Sequence, residues 1–311
     1  MFDYLQLKAL ATVVSEGGFE RAARVLNITQ SAVSQRVRSL EQKMGQSLVI
    51  RSVPVEATPL GKRLLRHFAQ VEMLEQELQA EMDGDDPSQP TNVRIAVNAD
   101  TLATWFLPAL SPLFNRRNWL MELIVDDESY THNLLRSGEV VGCVTTTSEP
   151  LPGCKSDPLG VMEYLCVATP GFRDKFFYDG VDSRSLLAAP AVIFSTKDRL
   201  HHRYLKQYFQ LDEVSIWQHT IPSSEGFLDA VCREMGYGLV AHLQAQPLLD
   251  KGILVELTPG MRKQVPLYWQ HWNIKAKQTT LIYRALIAGC RQVLLSMDVP
   301  YAQSTEAQAR R

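Results

Sequence analysis

Between Thr29 and Arg38 the chain sets Gln30, Ser31, Ser34, Gln35, Arg36 and Arg38 around Val33 and Val37. Side-chain amides can bond base edges in a major groove, guanidinium groups can bond guanine or phosphate, and short serines let a backbone approach phosphate. A groove-reading helix also needs an apolar face to hold its angle, and Val33, Val37, Leu40 and Met44 fall on one face at helical spacing. The candidate DNA-binding residues are Thr29, which is placed to cap this helix, and Gln30, Ser31, Ser34, Gln35, Arg36 and Arg38. Arg51 joins them from a later segment, and Lys62 or Arg63 are candidates for phosphate contact. Taken alone, the same residues also fit an amphipathic helix in a small α-domain.

A second group of polar residues sits after apolar, strand-like runs. Asn98-Ala-Asp100-Thr101 follows Val93–Val97, Asp126-Asp127-Glu128 follows Met121–Val125, and Thr145-Thr-Thr147 follows Val140–Val144. Ser223-Ser224-Glu225 stands at a comparable helix entry. In α/β sheets, ligands gather at the carboxyl ends of strands, where helix N-termini offer free N–H groups. The same residues are ordinary N-caps and solvated turns, so both readings stand at this point.

Other chemistry is thinly represented. The chain has no nucleophile elbow, zincin motif, Walker loop or dinucleotide fingerprint, and the expectation is that it is not an enzyme and has no catalytic residues. His201-His202 is a poor metal pair, because adjacent helical residues face different ways, and both are expected at the surface. Cys143, Cys154, Cys166, Cys232 and Cys290 are scattered without a C-x-x-C pair and read as small hydrophobes. No metal or cofactor is implied. The N-terminus lacks a basic and apolar leader and no later stretch suits a membrane span, so a cytoplasmic location without membrane contact is expected.

These groups need elements to hold them, and 311 residues with 45% hydrophobic and 21% charged content suffice for two or three globular domains. The net charge of −2 conceals a strong segregation. Residues 1–66 carry ten Lys and Arg against five Asp and Glu, a net of +5, whereas residues 67–90 carry none against seven, a net of −7. The basic end is the one that attracts phosphate. Helical periodicity spans Tyr4–Glu16, Phe19–Leu26 and Thr29–Met44, with Gly17-Gly18 and Gly45 as stops. Leu48–Arg51 and Val55–Ala57 read as a two-stranded wing. Thr58-Pro59 opens a helix whose stripe, Leu64, Phe68, Val71, Leu74, Leu78 and Met82, continues for five turns and suits pairing with a second copy.

The expected organisation is a winged helix-turn-helix over 1–58, a linker and dimerisation helix over 59–82, a hinge over 83–91 and an effector-binding domain over 92–311. Alternating strands and helices over 91–145 and again over 191–241 imply an α/β fold with a parallel sheet in two lobes, lobe I about 92–165 and 271–311 and lobe II about 166–270. In the second lobe the strand-like runs are Ala191–Phe194, Val214–Trp217 and Gly238–Ala241, with helices over 198–210 and 225–235.

The first segment resembles the LysR-type transcription regulators. Their F-x-R-A-A-x-x-L-x-x-[ST]-Q-[SP]-A-[VL]-S-x-x-[IV]-x-x-L-E pattern is matched by Phe19, Arg21, Ala22, Ala23, Leu26, Thr29, Gln30, Ser31, Ala32, Val33, Ser34, Val37, Leu40 and Glu41. Gly45, Leu48, Arg51, Thr58 and Gly61 continue the family's wing signature, with Val49 where Phe is usual. Shorter runs, among them Val97-Asn-Ala-Asp100, Gly138-Glu-Val-Val-Gly142 and Ser223-Ser-Glu225, extend the resemblance to the ArgP/LysG branch, whose regulators sense basic amino acids.

The resemblance implies a periplasmic-binding-protein-like effector domain, an operator in double-stranded DNA and a small effector, lysine or arginine. It further implies a homodimer or homotetramer and contact with RNA polymerase. For a basic amino acid, Thr101, Ser223 and Ser224 suit the carboxylate and Asp100, Asp126 or Asp127 the cation, with Thr145 on the same cleft. A LysR-type regulator of another effector and a small-molecule-binding protein without DNA function are the alternatives.

Overall fold

The computed structural model describes residues 2–83, 91–125, 128–212, 214–274 and 276–297. Residues 84–90 of the expected hinge, Asp126, Asp127 and the C-terminal residues 298–311 lie outside them.

Three helices, α1 (Tyr4–Ser15), α2 (Phe19–Val25) and α3 (Gln30–Met44), enclose one core that includes Leu7, Leu10, Val13, Ala22, Val33, Val37 and Leu40. Thr29 caps α3 by accepting from Ala32 N at 3.2 Å, and Gly45 ends it in the left-handed region at φ 69°. The wing follows as antiparallel β1 (Val49–Ile50) and β2 (Glu56–Ala57). Val49 is buried in the same core, so the family departure at this position concerns packing.

Pro59 begins α4 (Pro59–Asp83), as the Thr58-Pro59 signal implied. Thr58 fastens its start by donating its hydroxyl to Ser47 O at 2.9 Å and accepting from Gly61 N at 3.1 Å. A Cβ at Gly61 would collide with Leu48 O, so glycine is needed for this close approach. The long stripe of α4 divides its contacts. Leu64 and Phe68 complete the N-terminal core, and Met73 packs against the following domain with Leu134, Leu135 and Trp272. Leu74, Leu78 and Met82 remain exposed.

The remaining described chain opens with β3 (Thr91–Val97), α5 (Ala99–Thr101), a π-helical turn (Leu102–Phe106), α6 (Leu107–Phe114), β4 (Trp119–Val125), α7 (Glu128–Ser137) and β5 (Gly142–Thr145). β3 lies between β4 and β5 and is parallel to both, as the alternating pattern implied. The 15-residue β6 (Cys154–Ala168) then leaves this lobe. It leads to α8 (Pro170–Phe176), α9 (Ser183–Ala188), β7 (Ala191–Ile193), α10 (Leu200–Phe209), β8 (Gln218–Thr220), α11 (Ser224–Cys232), β9 (Gly238–Ala241), α12 (His242–Asp250) and β10 (Val255–Glu256). β11 (Lys263–Trp272) returns, and α13 (Lys277–Cys290) packs against α6.

Sheet order β10-β6-β11-β5-β3-β4, with β9 also on β6, makes the two long strands common to both lobes. Both pair antiparallel, so the sheet is mixed where a parallel one was expected. Asp157-Pro158 and Gly160 in β6, and Pro266 beside the bulge at Leu267/Tyr268 in β11, carry turn and breaker residues inside strands. The strand expected at Val214–Trp217 is instead β8 at Gln218–Thr220, paired parallel with β7. The short apolar run packs through Val214 and Ile216 without joining a ladder.

Candidate functional site

The candidate DNA-binding residues are positioned by one capped helix and one wing. Burial of Val33, Val37 and Leu40 turns Ser31, Gln35 and Arg38 outward together, one or two turns apart on α3, with Gln30 exposed in the first turn. Ser34 is half-buried beside them. Arg36 is set apart: it lies between Val33 and Leu40 on the flank of the buried face and is itself half-buried. Thr29 commits its oxygen to the cap, with Ser31 Oγ 2.9 Å away. Arg51, Lys62 and Arg63 are exposed at and after the wing. Glu41 Oε1 accepts from Leu48 N at 2.8 Å, which fastens the wing to α3. Glu41 and Thr58 appear in the sequence pattern without a role; here they are positioning residues.

The second set converges on Asp100, at the carboxyl end of β3. Tyr164, from β6, donates its hydroxyl to Asp100 Oδ2 at 2.9 Å, and Ser224, in the first turn of α11, donates to Oδ1 at 2.7 Å. Ser224 Oγ is also 3.1 Å from the Gln244 side-chain amide. Burial pushes the Asp100 carboxyl above its ordinary range, against the two hydroxyl bonds, which favour the carboxylate. Burial and the neighbouring Asp100 together hold the Tyr164 phenol well above its usual value.

Asp198, in the loop between β7 and α10, is also raised by burial and by the charge of Asp100. Thr101 is fully buried, and its Oγ1 has no partner among the described residues. Thr145 lies at the end of β5 beside β3, 3.0 Å from His132 Nε2. Ser223 is exposed and caps α11 by accepting from Gly226 N at 3.1 Å.

Of the expected effector residues, the structure joins Asp100 and Ser224, buries Thr101 next to Asp100 in the chain, and leaves Thr145 at the neighbouring strand end. Asp126 and Asp127 lie outside the described residues. Sequence reasoning missed Tyr164, Asp198 and Gln244. Only the crossing of β6 brings Tyr164 to Asp100, and only the packing of the second lobe brings Gln244 to Ser224.

A cavity of about 620 Å³ lies farther out, between the 103–113 helix, α12 and α13, and shares Thr104 and Gln244 with this region. Its other walls are largely apolar and hold no charged side chain, so it is a poor seat for a charged ligand.

The histidine expectation is corrected in part. His201 is 3% exposed and packs on Tyr237, with Nε2 3.2 Å from the tyrosine hydroxyl. Burial pushes it down to about 3, which keeps it a neutral core residue. Its partly apolar neighbour set, with Leu205 and Tyr204 on the same helix, carries it inward. Among the described residues, no group of three or more His, Cys, Asp and Glu could hold a metal ion. Cys143, Cys166 and Cys290 are buried free thiols, and Cys154 and Cys232 are half-buried.

Comparison with known proteins agrees with both halves. Residues 4–62 match the model of bacterial regulatory helix-turn-helix proteins of the lysR family, and residues 89–293 match the LysR substrate binding domain. The HTH-type transcriptional regulator ArgP of Photobacterium profundum is 45% identical over 292 residues, covering 94% of this chain and 98% of the relative. The crystal structure of ArgP from Mycobacterium tuberculosis superposes with a TM-score of 0.87 at 36% identity, over 95% of this chain and 100% of that one. Full-length LysG from Corynebacterium glutamicum with bound effector Arg superposes with a TM-score of 0.77 at 33% identity, over 94% of this chain and 100% of that one.

Proposed function

The chain belongs to the LysR family of bacterial helix-turn-helix transcription regulators, and from that premise we propose that it reads an operator through α3 and the wing while its interlobe cleft binds arginine or lysine. The observation that carries the effector assignment is Asp100. Its carboxyl is part-buried, accepts from the Tyr164 and Ser224 hydroxyls, and has no cation paired with it among the described residues. A guanidinium or ammonium group would complete it. Thr101 and Ser223, at the entry of α11, are the candidates for the amino acid's carboxylate, while Ser224 stays on Asp100. The bound arginine of the similar LysG supports the same ligand class.

In this reading Gln30, Ser31, Ser34, Gln35 and Arg38 face base edges, Arg51 contacts phosphate, Thr29 sets the helix start, and Arg36 supports the backbone contact from the flank. The exposed end of α4 joins two copies, which places paired recognition helices on successive major-groove faces, in a dimer or a dimer of dimers. Effector binding shifts the arrangement of that assembly only as far as it favours one arrangement over another, and RNA polymerase reads the result. The regulated genes serve amino-acid export or metabolism. No helix among the described residues is long and apolar enough to cross a membrane, which fits work on DNA in the cytoplasm.

Calorimetric titration of the full-length protein with the twenty amino acids tests the effector. Arginine or lysine binds, and Asp100→Ala weakens that binding by about tenfold or more. Silence across the panel removes the proposed signal.

A further inference from the structure

One helix, α4, belongs to two cores. Leu64 and Phe68 are buried in the core of the three N-terminal helices, and Met73 is buried among Ala96, Leu134, Leu135, Val140 and Trp272 of the following domain. Only about 8 Å of helix separates Phe68 from Met73. After Gly61 the helix has neither Pro nor Gly, the residues at which helices kink. A straight element held by packed cores at both ends passes a movement of one core to the other.

A second contact lies at Gly138. There α7 ends in a glycine cap: Gly138 N donates to Leu135 O at 3.3 Å and Glu139 N to Leu134 O at 3.0 Å, with Gly138 at φ 86°. The cap accounts for the positive φ but not for the crowding. A Cβ on Gly138 would lie 2.8 Å from Arg66 Cα and 3.4 Å from Ala69 Cβ, against the backbone of α4. Gly252 supplies a matched case after α12. It makes the same cap, with Gly252 N on Leu249 O and Ile253 N on Leu248 O, both at 2.9 Å, and φ 68°, yet a Cβ there would meet nothing within 4 Å. The close approach of α4 is therefore a demand on Gly138 separate from the cap.

Arg66, Ala69 and Met73 are spaced i, i+3 and i+7, so they share one face of α4, while Leu74, Leu78 and Met82 stay exposed. The floor of the contact is itself tied down. Trp272 Nε1 donates to Leu135 O at 3.3 Å, and Thr279 Oγ1 lies 3.8 Å from Met73 Sδ. Trp272 ends β11, one of the two long strands common to both lobes.

We infer that this seat, made by Arg66, Ala69 and Met73 on α4 and by Leu135, Gly138 and Trp272 beneath it, fixes the angle between the DNA-binding and effector domains, and that the length of chain over residues 84–90 does not. The helix acts as a splint. The first lobe and α3 move together, and a movement of β11 reaches the N-terminal domain through Trp272 and Met73. The inference holds whatever ligand the cleft takes.

The test is small-angle scattering of the full-length protein at one oligomeric state, joined to hydrogen exchange of the α4 amides around Met73. Gly138→Asn keeps a residue type that tolerates the left-handed cap and adds the Cβ for which α4 leaves no room, whereas Gly252→Asn makes the same change in open space. The expected result is a shifted radius of gyration and lost protection around Met73 in Gly138→Asn, with neither in Gly252→Asn. A Gly-Ser-Gly-Ser insertion after Ser88 leaves both readings at their wild-type values. If Gly138→Asn does not fold, Ala69→Leu crowds the same contact from the other side with a good helix former, and the same shift is expected. Wild-type scattering and protection in both seat variants overturns the proposal. An equal shift in Gly252→Asn, or one as large from the insertion, overturns it as well.

Discussion

The candidate DNA-binding surface and the candidate effector cluster are assembled in contrasting ways. The first draws its contacts from one helix and one wing within residues 29–63, over a core of its own, and exposes them. The second gathers Asp100, Tyr164, Ser224 and Gln244 from both lobes into one hydrogen-bonded, largely buried cluster. An exposed, locally built surface tolerates substitution residue by residue and can be retuned to a new operator. A buried, long-range cluster couples its members, so a change at one is felt by the geometry of both lobes.

Independent cores are the first thing to break. Leu40 is fully buried under α3, and Leu40→Ala is expected to destabilise the N-terminal domain by about 2–5 kcal/mol and abolish DNA binding. Arginine binding survives in the variant, because the cleft belongs to a different core. Thermal melting together with arginine titration checks this; loss of effector binding in step with DNA binding would show that the two regions fold as one unit.

A smaller effect sharpens the DNA side. Gln35 is exposed and bonds no neighbour among the described residues, so Gln35→Ala leaves stability nearly unchanged and costs about 1–3 kcal/mol of affinity for the operator. Non-specific duplex binding stays the same, as fluorescence anisotropy with operator and scrambled DNA would report. An equal loss on both duplexes would assign Gln35 to phosphate contact.

The same contrast explains what the sequence makes legible. A recognition helix announces itself because its cap, its apolar face and its polar face all lie within Thr29–Met44, at spacings fixed by helix geometry. The wing and α4 follow from the same local signals. Asp100, Thr101 and Ser224 are legible as strand-end and helix-entry residues, yet nothing local says that Ser224 reaches Asp100 across 124 positions. Tyr164 is hidden altogether, since its bond to Asp100 depends on β6 crossing between lobes, and β6 itself is obscured by Asp157-Pro158 and Gly160. His201 misleads for a related reason. A polar pair on a helix reads as surface until Tyr237 and Leu186 are packed over it.

If the cleft is the effector site, its occupancy changes how the protein holds DNA. The most direct measurement is the bend angle and footprint of an operator, selected from a random duplex pool, bound by the full-length protein with and without saturating arginine or lysine. One of these amino acids is expected to shift the footprint or the bend, and the shift to disappear in Asp100→Ala. An identical footprint and an identical bend angle under all conditions would contradict it.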